Sequence, residues 1–215
     1  MLYLKVTDEN DRNAILGVTG VYDHKDSVNV YGPGRYVGAS LPVPMETFKQ
    51  IMQIGQQNPG VLLNTKKENL HDIQTALAEK DRNKLRTVLT EKQQPTTGGT
   101  LSTVYIEFTG RGRRRLNEIL GVTAVYDHGD TVSVEGRGDS YGASLPFTME
   151  QFEKIMQIGL QNPGMMLNMK EENLLVIQAA LAENNAGKLR TALIGPQQSP
   201  PAQNLGTPFP PYSPG

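Results

Sequence analysis

The chain has 215 residues, a formal net charge of -1 at pH 7 and no cysteine. The lack of cysteine excludes disulfides, thiolate metal sites and a cysteine nucleophile. The near-neutral charge gives no overall attraction to nucleic acid or to an anionic membrane. The N-terminal residues lack the apolar run of a secretory signal, and no stretch approaches about 18 apolar residues. These features predict a cytoplasmic protein without a membrane partner.

An internal repeat determines the predicted organisation. With an offset of 104 residues, positions 15–89 align with positions 119–193, and about 48 of the 75 aligned pairs are identical. We therefore predict a tandem duplication, with one α+β repeat at 1–90, a linker at 91–100 and a second repeat at 101–195. Because each repeat can bury only a modest core, we expect the two to pack with pseudo-two-fold symmetry as an intramolecular pseudo-dimer.

Four strands are predicted at the start of each repeat. Alternation of apolar and polar residues, together with Gly- and Asp-containing turns, predicts antiparallel strands at 2–7, 15–22, 27–31 and 36–41. The corresponding strands of the second repeat are predicted at 105–109, 119–126, 131–134 and 141–145. The predicted fold class is thus α+β, with a four-stranded antiparallel sheet followed by helices in each copy.

Helices follow each predicted sheet. The first has an apolar stripe at Phe48, Ile51, Met52 and Gly55, which the second repeat matches at Phe152, Ile155, Met156 and Gly159. In the second repeat, Thr148 and Gln151 have the spacing of a capping box. Another helix is predicted at about 66–78, with Thr65 and Glu68 as its capping box, and a short last helix carries Leu85, Val88 and Leu89.

The last segment, 196–215, is rich in proline. Its composition is typical of a disordered or polyproline-like tail. We expect that its removal leaves the rest of the chain folded.

The repeated Asp-His-x-Asp motif is the strongest candidate for catalysis or metal binding. It includes His24 in the first repeat and His128 in the second. Adjacent strand residues point to opposite faces of a sheet, so an aspartate and the following histidine are poorly placed to share an ion. Aspartate also favours tight turns. We therefore interpret both motifs as hairpin tips and predict no enzyme activity, no metal and no cofactor.

Seven of the eight tyrosines lie in or beside predicted strands. Sheet packing explains them, because aromatic residues favour strands. Alternatively, one sheet face presents tyrosine rings beside basic residues, as in platforms that bind single-stranded nucleic acid. On that interpretation the predicted nucleic-acid-binding residues are Tyr3, Lys5, Tyr22, Lys25, Arg35, Tyr36, Tyr105, Arg111, Arg113, Arg114, Arg115, Tyr126 and Tyr141.

The junction between the fourth strand and the first helix of each repeat resembles known protein families. It reads Gly38-Ala-Ser-Leu-Pro, followed after two residues by Met45-Glu-x-Phe-x-x-Ile-Met, and recurs from Gly142. Four strands followed by such a helix resemble the unit of PUR repeats and Whirly domains, and the fourth strand and helix also resemble the positive-coactivator class of transcription regulators. The resemblance covers 3–55 and 105–159. It implies a curved antiparallel sheet backed by a helix, two units in one intertwined or two-fold body, and single-stranded DNA or RNA across the strands.

Two functions of different class remain open. The first is a non-catalytic protein that binds single-stranded DNA or RNA across the sheet, favoured by the tyrosines, the arginine-rich loop and the resemblance. The second is a protein-interaction or structural assembly module with a duplicated surface, favoured by the near-neutral charge and by an aromatic content of only 6%. We place the nucleic-acid binder first.

Overall fold

The fold is described from a computed structural model, which describes residues 1–8, 10–32, 38–91, 93, 103–110, 117–138 and 142–195. It is a mixed α+β fold. The first half contains β1 (Tyr3–Thr7), β2 (Asn13–Gly17), β3 (Gly20–Asp23), β4 (Val28–Tyr31), β5 (Gly38–Leu41), α1 (Met45–Gln57), β6 (Leu63–Asn64), α2 (Leu70–Ala78) and α3 (Arg82–Thr90). The second half contains β7 (Tyr105–Thr109), β8 (Asn117–Asp127), β9 (Val132–Gly138), β10 (Gly142–Leu145), α4 (Met149–Gln161), β11 (Met166–Met169), α5 (Glu171–Ala182) and α6 (Ala186–Ile194).

The strands form two sheets, which corrects the prediction of one four-stranded sheet in each repeat. The large sheet has the order β10-β9-β8-β2-β1-β6, and β7 joins it by pairing with both β8 and β11. The small sheet is antiparallel and has the order β3-β4-β5. The first half therefore contributes strands to both sheets. The two halves are joined by the antiparallel β2–β8 ladder, in which Ala14 lies opposite Tyr126 and Leu16 opposite Ala124.

The predicted strand at 15–22 is broken in the first half, whereas β8 runs continuously through the corresponding residues. At the break, the Val18 amide donates to the Leu2 carbonyl and the Thr19 amide donates to the Tyr31 carbonyl. The Thr19 bond joins the chain to the small sheet. In β8 the Val122 amide makes the equivalent bond to the Val104 carbonyl, and the strand continues with a register shift between Val122 and Ala124 against β9.

Two strands, β6 and β11, are not predicted from the sequence. β6 pairs in parallel with β1, and β11 pairs in parallel with β7. Both follow the Asn-Pro-Gly turn at the end of a long helix. Each widens its part of the large sheet at the edge remote from β9.

The helices agree with most of the expected pattern. Phe48, Ile51 and Gly55 are buried in α1, whereas Met52 is half-buried and Ile54 belongs to the buried stripe. All four predicted residues of the α4 stripe are buried, and the capping box of Thr148 and Gln151 is confirmed. The capping box predicted for Thr65 and Glu68 is wrong. The Thr65 hydroxyl donates instead to the Lys5 carbonyl, and a turn of 3-10 helix at Lys67–Asn69 precedes α2.

Two apolar cores lie on opposite sides of β1. Leu4 and Val6 belong to the core that holds α1, α2 and α3, together with Ala124 from β8. Tyr3 belongs to the other core, which holds α4, α5 and α6 and also takes in Ile15 and Leu62. Alternate residues of one strand point to opposite sheet faces. Around β1, β2 and β8 the sheet is therefore covered by first-half helices on one face and by second-half helices on the other.

None of the helices in the described ranges is both long and apolar enough to cross a membrane.

Candidate binding surface

Both Asp-His-x-Asp motifs form hairpin tips, as interpreted from the sequence. Oδ1 of Asp23 accepts from the Lys25 amide at 2.9 Å, and Oδ1 of Asp127 accepts from the Gly129 amide at 2.9 Å. Lys25 and Gly129 have φ values of 69° and 81°, a conformation that glycine adopts without strain. Turn geometry thus accounts for both aspartates. Across the part of the chain that the structure describes, no three His, Asp or Glu side chains cluster as metal ligands would.

Tyr3 and Lys5, both predicted to bind nucleic acid, lie in the interior. The Tyr3 ring is 1% exposed. Its hydroxyl donates to the Val122 carbonyl at 2.7 Å and accepts from the Val104 amide at 3.2 Å. Burial raises the pKa of Tyr3 to about 12. This side chain joins the first strand to the second half and leaves no ring face for a base.

Lys5 is a buried cation that pairs with two partly exposed glutamates. Its Nζ lies 2.8 Å from Oε2 of Glu91 and 3.0 Å from Oε2 of Glu153. Burial by itself lowers the pKa of Lys5, but the hydrogen bonds and charges of the two glutamates outweigh it and raise the pKa. Lys5 is therefore a charged structural residue, because both carboxylates already satisfy its ammonium group.

Tyr126 is half-buried beside the β2–β8 ladder. Its hydroxyl has no hydrogen-bond partner among the described residues. Burial raises the pKa of Tyr126, and the nearby charges of Glu135 and Asp8 act in the same direction. The Tyr126 ring packs against the first-half core, so it is not available as an open stacking platform.

Tyr22 and Tyr31 form the most exposed aromatic pair in the described chain. Tyr22 is 62% exposed and Tyr31 is 38% exposed, and their ring centroids are 5.2 Å apart at an interplanar angle of 88°. This edge-to-face arrangement is a favourable one for aromatic rings. Tyr31 was recognised in the sequence as a strand tyrosine but was not included among the binding residues. The signal that could have found it is the alternation of β4, in which Val28 and Val30 are buried.

The outer face of the small sheet carries both rings. Strand register places Asn29 opposite Tyr22 and Ser40, and His24 lies within hydrogen-bond distance of Asn29 at 3.1 Å. We call these five residues, Tyr22, His24, Asn29, Tyr31 and Ser40, the small-sheet surface. No carboxylate belongs to this described set. Beneath it, a Cβ at Gly38 would lie 2.9 Å from Cε1 of Tyr31, so glycine lets the ring rest against β5.

The other predicted site residues do not join this surface in the described structure. Lys25 is exposed in the hairpin tip next to the small sheet. Tyr105 is 45% exposed but belongs to β7 in the large sheet. Arg35, Tyr36, Arg111, Arg113, Arg114, Arg115 and Tyr141 lie outside the described residues.

A cavity of about 520 Å³ lies in the second half, between β7, β8, β10 and the start of α5. Gly110 and Gly142 line it, next in sequence to the predicted Arg111 and Tyr141. Glu118 and Glu171 also line it. Two carboxylates repel phosphate, so the described lining does not favour a nucleic-acid backbone.

Comparison with known proteins gives no match: no family model matches the chain, and no curated protein and no solved structure is significantly similar to it.

Proposed function

We propose that this chain is a non-catalytic binding protein and that the small-sheet surface engages a partner protein. The observation that carries this proposal is the exposed Tyr22–Tyr31 pair, surrounded by Asn29, His24 and Ser40. Tyrosine supplies a large amphipathic contact area at a low cost in conformational entropy, and Asn and Ser supply adaptable hydrogen bonds. Aromatic residues are enriched and lysine is depleted at the centre of protein interfaces.

The edge of β3 supports the same proposal. Among the described strands, β3 pairs only with β4, so its other edge offers unpaired backbone groups beside Tyr22. An extended segment of a partner can add to such an edge as a further strand, with alternate side chains contacting the sheet face. Backbone pairing would give affinity, and the two tyrosines would give specificity.

A displayed random peptide library tests this proposal. Peptides are selected on the wild-type chain alone, and the affinity of each is then measured for the wild type and for the Tyr22→Ala/Tyr31→Ala variant. We expect selected peptides to lose at least about tenfold in affinity for the double variant, because buried tyrosines are typical hot spots of interfaces. Gly38→Ala, which displaces the Tyr31 ring, should weaken binding less. The matched control is Tyr105→Ala, which removes an exposed tyrosine from a different sheet.

The proposal fails if no selected peptide depends on Tyr22 or Tyr31. It also fails if Tyr105→Ala reduces affinity as much as the double variant does. Circular dichroism of each variant checks that the sheet is intact.

Single-stranded nucleic acid is the second candidate ligand. The same tyrosine pair favours it, because each stacked base contributes about 1 to 3 kcal/mol and every base has a ring face. Lys25 supplies a cation at one end of the surface. Tyr3 and Lys5 are buried, so they cannot take part in the continuous platform that the sequence predicts. We therefore rank nucleic acid after a partner protein.

Polarisation titrations with labelled poly-dT and with RNA test the second candidate. Binding should weaken steeply with salt if phosphates are contacted. Lys25→Glu should flatten that salt slope, whereas Tyr22→Ala should lower the affinity without changing the slope. Absence of binding at low salt would remove nucleic acid as a ligand.

We further propose that the two halves are copies of one duplicated unit related by pseudo-two-fold symmetry. The sequence identity supports this, as does the matching register of β1–β2 and β7–β8, where Tyr3 faces Gly17 and Tyr105 faces Gly121. Proteolysis within the predicted linker, 91–100, gives a test. Two folded fragments that separate as monomers on sizing would contradict the packed pseudo-dimer.

A further inference from the structure

Two corresponding faces of the large sheet differ in what covers them. The covered face consists of Tyr3, Lys5, Ile15 and Leu62, all of which are buried. Its sequence counterpart, the open face, consists of Tyr105, Glu107, Ile119 and Met166.

Three apolar residues of the open face remain exposed to solvent. Tyr105 is 45% exposed, Ile119 is 43% exposed and Met166 is 41% exposed. The two faces thus carry the same tyrosine and the same isoleucine at corresponding positions, but these residues are buried only in the covered face. Strand pairing places them together, because Met166 faces Tyr105 and Ile119 faces Glu107.

A flank of α4 contacts the covered face, as do Glu91 and Gln93 after α3. Met149, Met156 and Leu160 are buried in the same core as Tyr3 and Ile15. Glu153 lies on this flank and forms the 3.0 Å ion pair with Lys5. These four positions on α4, Met149, Glu153, Met156 and Leu160, recur at helical spacing and so form one stripe.

The corresponding flank of α1 is open. It consists of Met45, Lys49, Met52 and Gln56. The two methionines are half-buried, whereas Lys49 and Gln56 are exposed. Within the described residues, the contact of the α4 flank with the covered face is thus closed, whereas the α1 flank and the open face are both exposed.

The charges of the open components are complementary. The closed contact pairs Lys5 of the sheet with Glu153 of the helix. The corresponding residues are Glu107 of the sheet and Lys49 of the helix, so both signs are reversed together. Lys49 at present pairs with Glu46, and Glu107 pairs with Lys170 at 3.5 Å.

We propose that the open face binds the α1 flank of a second copy of this chain, with Lys49 of one copy paired with Glu107 of the other. The β2–β8 ladder and the two cores fix the halves within one chain, so the second contact is made between chains. Each copy has one open face and one open α1 flank. Reciprocal docking therefore forms a closed two-fold dimer with two identical contacts. This inference does not depend on the ligand of the small-sheet surface.

Cysteine cross-linking tests the contact directly, because the natural chain contains no cysteine. Lys49→Cys and Glu107→Cys are made in separate full-length chains, which are then mixed and oxidised. We expect a covalent dimer only in the mixture. The matched control replaces Lys49→Cys by Lys154→Cys, which lies on the exposed side of the other long helix, and should give no dimer. Failure of the first mixture to cross-link overturns the proposal.

Charge reversal tests the ion pair by sedimentation velocity. Lys49→Glu should raise the dimer dissociation constant about tenfold or more, because it places two carboxylates together. Lys49→Glu/Glu107→Lys should restore it, and Lys154→Glu should leave it unchanged. A chain that is monomeric at all concentrations, or a dimer insensitive to Lys49→Glu, overturns the proposal.

Cross-linking and truncation distinguish two other possible occupants of the open face. A single chain with both Lys49→Cys and Glu107→Cys that oxidises to an internally bridged monomer would place its own α1 there. A dimer that forms only after removal of residues 196–215 would assign the face to the tail. Either result overturns docking between copies.

Discussion

The Tyr3 hydroxyl connects the first strand to the second half, and Tyr3→Phe removes that connection without changing the ring. Two buried hydrogen bonds are lost, one to the Val122 carbonyl and one from the Val104 amide. A buried polar group without a partner costs about 1 to 3 kcal/mol. We expect the free energy of unfolding to fall by about 2 kcal/mol, and the melting temperature by about 4 to 8 °C for a chain of this size.

Denaturant unfolding followed by circular dichroism measures this loss, and the chain provides its own control. Tyr105 corresponds to Tyr3 but is 45% exposed, so Tyr105→Phe should change stability by less than about 0.5 kcal/mol. Equal effects of the two substitutions would refute the assignment of Tyr3 to the interior.

The pH dependence of stability in the wild type and in Tyr3→Phe gives a further test, for which the direction of the change is predicted. Burial raises the pKa of Tyr3 to about 12 from its ordinary value of 10.0. Between these values the folded chain keeps a proton that the unfolded chain has lost, so wild-type stability falls as pH rises. Tyr3→Phe lacks this component. The stability difference between the two proteins should therefore be constant below pH 10 and should narrow above it.

Three further substitutions have defined expected effects, all measured by denaturant unfolding. Tyr126→Phe should be neutral or stabilise the fold by about 1 kcal/mol, since it removes a buried hydroxyl that has no partner among the described residues; a loss like that of Tyr3→Phe would contradict the burial described. Lys5→Met should destabilise by about 3 kcal/mol, because Glu153 loses its cation in a mostly buried position; a neutral result would mean that both glutamates rehydrate freely. Thr148→Ala should cost about 1 kcal/mol through loss of the capping box, whereas Pro44, at the same place on α1, makes no side-chain cap.

Local patterns were sufficient to predict most of the elements. Period-two alternation predicts most of the strands, and the spacing of Phe152, Ile155 and Met156 predicts α4 with its buried side. Turn preferences explained the motifs at His24 and His128. These features depend on residues that are close in sequence, so they can be predicted from a single amino-acid sequence.

The pairing of the halves could not be predicted in the same way. Val18-Thr19 and Val122-Thr123 are identical dipeptides, yet the first marks a strand break and the second lies within β8. The difference lies in the strand partners beyond the dipeptide, since β8 continues along β9 and β2 whereas β3 pairs with β4 in the small sheet. The short β6 and β11 were missed for a related reason, because each is a parallel partner of a strand about 60 residues away.

The same distinction between local sequence patterns and tertiary arrangement applies to the candidate binding surface. Tyr3 and Tyr105 occupy corresponding strand positions, but Tyr3 is buried in the core of the second-half helices whereas Tyr105 is exposed. Local sequence treats the two residues alike, so the predicted binding set combined interior and surface tyrosines. What separates Tyr22 and Tyr31 from the rest is the tertiary arrangement of the small sheet.

Tyr3 and Tyr126 lie inside the fold, and we propose that Tyr22 and Tyr31 face the ligand. Hydroxyl-radical footprinting of the full chain, read by mass spectrometry with and without a saturating selected ligand, tests it most directly. Without ligand we expect strong labelling of Tyr22 and Tyr31 and little labelling of Tyr3. With ligand, Tyr22 and Tyr31 should become protected while Tyr105 keeps its labelling. Protection of Tyr105 without protection of Tyr22 and Tyr31, or strong labelling of Tyr3 in the free chain, would contradict the account.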